Sequence, residues 1–208
     1  MIALRLAGSL AALVLGGTLC ARRKQPLFFK ILLFAAASCF LDALFEGCWL
    51  LVYGAAPEGF HVGYLDCVGM WFFLFSSYFG AIDRLADGGE RRYLPYRLAA
   101  LPAPLAVLGL TIWSVIRWGA AASLLLLVIP MGATLFFALK HLLLPDVEMG
   151  IIRVMRPYNA LVLLLGLCQM IMQMPGVSGT AALAATPLTS LLVAMLPTAE
   201  MGVRKWYM

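Results

Sequence analysis

Charged residues are scarce in this sequence, and that scarcity decides its class. Only 12% of the 208 residues are charged, whereas 63% are hydrophobic, and the mean hydropathy is +0.96. Soluble domains are about one quarter charged and about half apolar. One soluble core of this length could not bury so much apolar surface, so we predict an integral membrane protein.

Histidine and catalytic motifs are nearly absent as well. The two histidines, His61 and His141, fall at opposite ends of predicted membrane spans, so they cannot share a zinc site. The five cysteines form no CxxC pair, and the sequence has no GxSxG, HExxH or phosphate-binding loop. We therefore predict no catalytic residues, no metal and no cofactor, and we expect the cysteines to be free thiols.

Apolar runs predict an all-α polytopic membrane protein, a bundle of about seven transmembrane helices in one domain over 1–208. A helix needs about 20 apolar residues to cross a hydrocarbon core about 30 Å thick. Continuous runs favour helices over the alternating strands of a barrel. The predicted spans are 2–20, 28–53, 62–82, 98–116, 120–140, 158–174 and 181–203. A surface helix is predicted over 146–156, with Ile152 and Met155 facing lipid.

Basic residues predict the orientation of these spans. Thirteen of the lysines and arginines lie on one side of the predicted membrane, and only Arg5 and Arg117 lie on the other. This bias places the N-terminus outside and the C-terminus in the cytoplasm, in the cell membrane. The net charge of +5 is then explained by topology and by contact with the anionic lipid bilayer, so no nucleic-acid partner is predicted.

Two carboxylates interrupt the second predicted span. The stretch "CFLDALFEGCW", residues 39–49, places Asp42 and Glu46 on one helical face, and Asp66 is expected at a depth similar to that of Glu46. Each ionised acid at mid-membrane costs roughly 2.5–3.5 kcal/mol, so the acids need protons or a cation. The rest of the predicted ligand-binding set comprises Trp49, Tyr53, Gln169 and Gln173.

The source of the compensating positive charge separates the functional hypotheses. One alternative is an ion pair with Arg5 that locks helices together. The other is an outward-facing acidic pocket that binds protons or a small cationic or polar solute, in a transporter or a ligand sensor. A sensor would need a cytoplasmic protein partner at loop 83–97. A lipid-modifying hydrolase with paired carboxylates and a non-catalytic structural membrane subunit remain as further alternatives.

Overall fold

The computed structural model describes residues 2–21, 27–55, 57, 60–78, 87–118, 125–145 and 151–173. Within these ranges the chain is helical and contains no strand. The seventh predicted span, 181–203, lies outside the described residues. So do the last residues of the third span and the first residues of the fifth.

Seven α-helices are described. They are α1 (Ile2–Cys20), α2 (Leu27–Tyr53), α3 (Val62–Tyr78), α4 (Leu94–Ala100), α5 (Pro102–Trp118), α6 (Leu125–Leu143) and α7 (Ile151–Gln173). A 3₁₀ turn, Arg91–Tyr93, leads directly into α4. Helices α1 and α2 begin and end within one residue of the predicted spans.

Four helical stretches of the described chain are long and apolar enough to cross a membrane. They are Leu27–Tyr53, Arg91–Arg117, Leu125–Leu143 and Ile152–Met172. The second of these combines the 3₁₀ turn, α4 and α5. Helix α1 is a shorter apolar helix by the same measure. By length and composition, these helices are compatible with a multi-pass membrane protein.

Helix α7 corrects the expected start of the sixth span and removes most of the predicted surface helix. Residues 151–156 are the first turns of α7, which continues through Pro157. Ile152 and Met155 are buried in the core and do not face lipid, so that prediction was wrong. The buried face continues to Val162 and Leu165, and this shared packing offsets the hydrogen bond that the proline cannot donate. Residues 146–150 lie outside the described part of the chain.

The helices pack in the order α1, α2, α3 and α6, and helices α4, α5 and α7 also contact α6. Helix α3 supplies the centre of the core, where Trp71, Leu74 and Tyr78 are completely buried. The Thr134 hydroxyl of α6 reaches the Trp71 carbonyl at 3.3 Å, and the His141 ring lies 5.5 Å from the Tyr78 ring. Both contacts have nearly the same sequence offset, so α3 and α6 run parallel.

Candidate functional site

Arg5 lies between the two acids of α2. Its Nη2 donates a hydrogen bond to Asp42 Oδ2 at 2.7 Å, and its Nη1 donates to Glu46 Oε2. The side chains of Arg5 and Asp42 are 12% and 8% exposed, and that of Glu46 is 22% exposed. Asp42 and Glu46 lie on consecutive turns of α2, so one guanidinium reaches both carboxylates and joins α1 to α2. We call these three residues the charged cluster.

The charged cluster carries more negative than positive charge. Arg5 is the cationic partner of both carboxylates, and neither acid has another among the described residues. Two ionised carboxylates and one guanidinium leave a net charge of −1. Because a buried uncompensated charge is costly, the cluster favours the gain of one proton or one cation.

The backbone of α3 packs closely against Asp42. A Cβ atom added at Gly63 would lie 3.2 Å from Asp42 Oδ1 and 2.8 Å from Phe45 Cδ1. Only a glycine lets the α3 backbone come this close without displacing the aromatic ring. Asp42 is therefore packed between α1 and α3, and Glu46 is the more accessible acid of the cluster.

Asp66 lies beside the charged cluster, close enough for its charge to act on Asp42. Its side chain is partly buried, and it makes no ion pair within the described ranges. The contacts of Gly63 with Asp42 and of Gly69 with Ser38 set the antiparallel register of α2 and α3. That register places Asp66 nearer the level of Asp42 than that of Glu46.

Aromatic rings occupy the same end of α2 and α3. The rings of Trp49 and Tyr53 lie 4.3 Å apart, and Phe45 stacks on His61 with a centroid separation of 5.4 Å. The Tyr53 side chain is 65% exposed, so it belongs to the rim of this end of the bundle. The structure therefore places Trp49 and Tyr53 beyond Glu46 along α2, in contact with each other.

Gln169 approaches the acids from α7. Its Nε2 lies 3.4 Å from Cys67 Sγ, within hydrogen-bond reach of a sulfur acceptor. Cys67 and Cys39 are both buried and lie close enough to Asp42 to sense its charge. Gln169 thus forms a second layer beside the charged cluster, while Gln173 ends α7. All five cysteines are free thiols.

A second ionic group, which sequence reasoning missed, lies at the other end of the bundle. Asp87 accepts hydrogen bonds from Arg97 Nε at 2.9 Å and from Lys140 Nζ at 3.0 Å, and Arg97 Nη2 is a further donor. Asp87 and Lys140 are 4% and 2% exposed. Hydrogen bonds from Arg97 and then Lys140 lower the pKa of Asp87 to about 2. The available signal was Asp87 within the charged stretch "DRLADGGERR", but Lys140 is 53 residues away in sequence.

Two hydrogen-bonded side-chain pairs join α3 to α7 near that second group. The Tyr78 hydroxyl donates to Asn159 Oδ1 at 2.9 Å, and Ser77 Oγ lies 2.8 Å from the Tyr158 hydroxyl. Ser77 in turn donates to the Leu74 carbonyl, so Tyr158 is the donor in its pair. Asn159 is fully buried, and its Nδ2 has no hydrogen-bond partner among the residues that the structure describes. Between the Cys67–Gln169 contact and the Tyr78–Asn159 pair, the residue number rises along α3 and falls along α7, so α7 runs antiparallel to α3.

Among the described residues, no group of three or more His, Cys, Asp or Glu side chains is arranged to hold a metal ion. Comparison with protein-family models, with curated proteins and with solved structures found no match.

Proposed function

We propose that this chain is a multi-pass protein of the cell membrane that binds a proton or a small cationic or polar solute at Arg5, Asp42 and Glu46. It acts as a transporter or a ligand sensor. The observation that carries the proposal is the ratio of charges, one guanidinium for two carboxylates. A ligand with one positive charge neutralises the site, and in a low-dielectric bundle that neutralisation is strongly favourable.

Glu46 is the residue of the charged cluster that an incoming cation reaches first. Its side chain is 22% exposed against 8% for Asp42, and the aromatic rim lies on its side of the cluster. An incoming cation competes with Arg5 Nη1 for the Glu46 carboxylate, whereas Asp42 keeps its bond to Nη2. Exchange at Glu46 loosens one of the two bonds between α1 and α2, which couples binding to helix movement.

The proposed topology has seven spans in a single domain, with the N-terminus outside and the C-terminus in the cytoplasm. The distribution of basic residues supports this orientation. The packing supports the alternation of the spans, because α3 and α6 run parallel as third and fifth spans should, and α7 runs opposite to α3. In the sensor form of the proposal, a cytoplasmic partner contacts loop 83–97.

A structural membrane subunit is the second candidate. The two direct ion pairs between α1 and α2 favour it, because the same pairs would hold a static bundle together. A lipid hydrolase has less support. Both carboxylates accept hydrogen bonds from Arg5, so neither is a free general base.

Glu46→Gln separates binding from folding. It removes the surplus carboxylate and leaves a balanced pair of Arg5 and Asp42, so the fold should persist. The measurement is proton uptake by the purified protein between pH 8 and pH 5, together with the shift in melting temperature on adding Na⁺ or methylammonium. We expect the wild type to take up more protons than Glu46→Gln over this range, or to show a cation-dependent shift that Glu46→Gln lacks. Glu90→Gln, which changes an exposed acid, is the control. If the wild type shows neither response, the structural membrane subunit becomes the better-supported function.

A further inference from the structure

An exposed apolar stripe runs the length of α4 and α5. Its members recur every three or four residues and are Leu94, Leu98, Leu101, Leu105, Leu108, Ile112 and Ile116. From Leu94 to Ile116 the stripe covers 23 residues, or about 33 Å between its ends at 1.5 Å per residue. That length matches a hydrocarbon core about 30 Å thick. This stretch is also the least buried of the four candidate membrane spans.

Exposed arginines bracket the stripe. Arg91 and Arg92 come immediately before it, and Arg117 follows its last residue. Because the stripe fills the thickness of the hydrocarbon core, the guanidinium groups at its ends lie at the level of the lipid phosphates. Two adjacent arginines at one end concentrate positive charge there.

The segment that carries Arg91 and Arg92 is fixed to the bundle. Asp87 holds Arg97 and Lys140 on one side of it, and the Tyr93 ring is buried against the core. The Arg92 guanidinium lies 4.7 Å from the centroid of the Tyr93 ring. An anchored segment loses little conformational entropy when it binds a ligand.

Both guanidiniums are available to an anion. Arg91 makes no ion pair in the described part of the chain. Arg92 pairs with Glu90 at 2.6 Å, but these side chains are 67% and 54% exposed. An exposed pair of this kind contributes little, so a phosphate can displace the Glu90 carboxylate.

We propose that Arg91 and Arg92 form a binding site for the phosphate of an anionic phospholipid, whose acyl chains lie along the apolar stripe. Electrostatic attraction draws the headgroup to the two guanidiniums, and the stripe selects a lipid over a soluble phosphate. The site is independent of the charged cluster and of its proposed ligand.

Binding of phosphatidylglycerol to the purified full chain in neutral detergent tests the proposal, with phosphatidylcholine and inorganic phosphate as comparison ligands. We expect preferential binding of phosphatidylglycerol, which falls about five-fold for each arginine replaced in Arg91→Gln and Arg91→Gln/Arg92→Gln. Arg91→Lys/Arg92→Lys should retain most of the binding. Glu90→Gln should tighten it, because the competing carboxylate is removed.

Arg117→Gln is the matched control, since it removes one exposed arginine from the opposite end of the stripe. Circular dichroism and melting temperature check that each variant is folded. The proposal is overturned if phosphatidylcholine binds as well as phosphatidylglycerol or if inorganic phosphate competes fully. Equal losses in Arg117→Gln and Arg91→Gln would also overturn it, as would loss of folding in the lysine variant. Unchanged binding in the folded double variant would overturn it too, because phosphatidylglycerol would then bind without Arg91 and Arg92.

Discussion

Arg5 of α1 and Asp42 of α2 are joined by a 2.7 Å hydrogen-bonded ion pair across 37 residues of sequence. The same guanidinium also binds Glu46, so one side chain makes both described ion pairs between the first two helices. This arrangement makes the cluster sensitive to the loss of Arg5 and tolerant of the loss of Glu46. That asymmetry distinguishes the cluster from a simple two-residue ion pair.

Arg5→Gln should strongly destabilise the protein. It leaves two carboxylates without a cation, and breaking a buried pair in this way costs about 3–5 kcal/mol. Reversible unfolding in mixed detergent measures the change. In Arg5→Gln/Asp42→Asn/Glu46→Gln all three charges are gone, so most of the stability should return. Equal stability of Arg5→Gln and the wild type would show that the ion pairs are energetically irrelevant.

Asp87 should make stability fall at low pH. Its folded-state pKa is lowered from 3.8 to about 2, so folding favours the ionised carboxylate. The contribution of Asp87 to the free energy of unfolding is therefore complete above about pH 4 and is lost as the pH falls towards 2. A melting series over this range in the wild type and in Asp87→Asn measures it.

The Asp87→Asn curve should lack this acid-dependent loss and start lower at neutral pH, because Lys140 is left buried without its carboxylate. Glu90→Gln, an exposed acid in the same segment, should retain the wild-type profile. Parallel curves for the wild type and Asp87→Asn would mean that the interactions of Asp87 do not stabilise the folded state.

Gly63→Ala should push α3 away from α2. The added methyl carbon would lie 2.8 Å from the Phe45 ring and 3.2 Å from Asp42 Oδ1. Overpacking of this kind costs about 1–3 kcal/mol. Gly109→Ala is the control, because no atom lies within 4 Å of its added carbon and alanine favours a helix. The melting temperature should fall in the first variant and hold or rise in the second; the reverse order would contradict the observed helix contact.

Sequence patterns predicted the helices better than the contacts between them. Continuous apolar runs gave the bounds of α1 and α2 because a membrane helix is a local feature, set by length and hydropathy. The start of α7 was harder, since Pro157 resembles a helix boundary until the burial of Ile152 and Met155 is known.

In the candidate site, too, local features could be predicted from the sequence and long-range contacts could not. The spacing of Asp42 and Glu46 on one face follows from helical periodicity alone. The bond of Asp87 to Lys140 does not, because it depends on how a loop folds back onto α6. The pairing of Tyr78 with Asn159 requires the register of two helices that are 81 residues apart in sequence. No single-sequence pattern contains that register.

Tyr78 and Asn159 should show a measurable coupling energy. Interhelical hydrogen bonds in membrane proteins average about 0.6 kcal/mol in double-mutant cycles. Tyr78→Phe alone should destabilise by about 1 kcal/mol, since it leaves the buried Asn159 amide with no hydrogen-bond partner in the described part of the chain. Tyr78→Phe/Asn159→Leu should recover stability, because both buried polar groups are removed. Strictly additive effects of the two substitutions would refute the coupling.

Labelling of introduced cysteines should place residues 58 and 90 on opposite sides of the membrane. Glu58 lies between the second and third predicted spans, and Glu90 lies between the third and fourth. Glu90 is preferred to its neighbour Gly89, whose φ of +80° would strain a cysteine. The parent protein carries Cys48→Ala, because Cys48 is exposed and would react. A membrane-impermeant maleimide added to intact cells should label position 58 and should reach position 90 only after permeabilisation. Labelling of both positions in intact cells would overturn the proposed orientation.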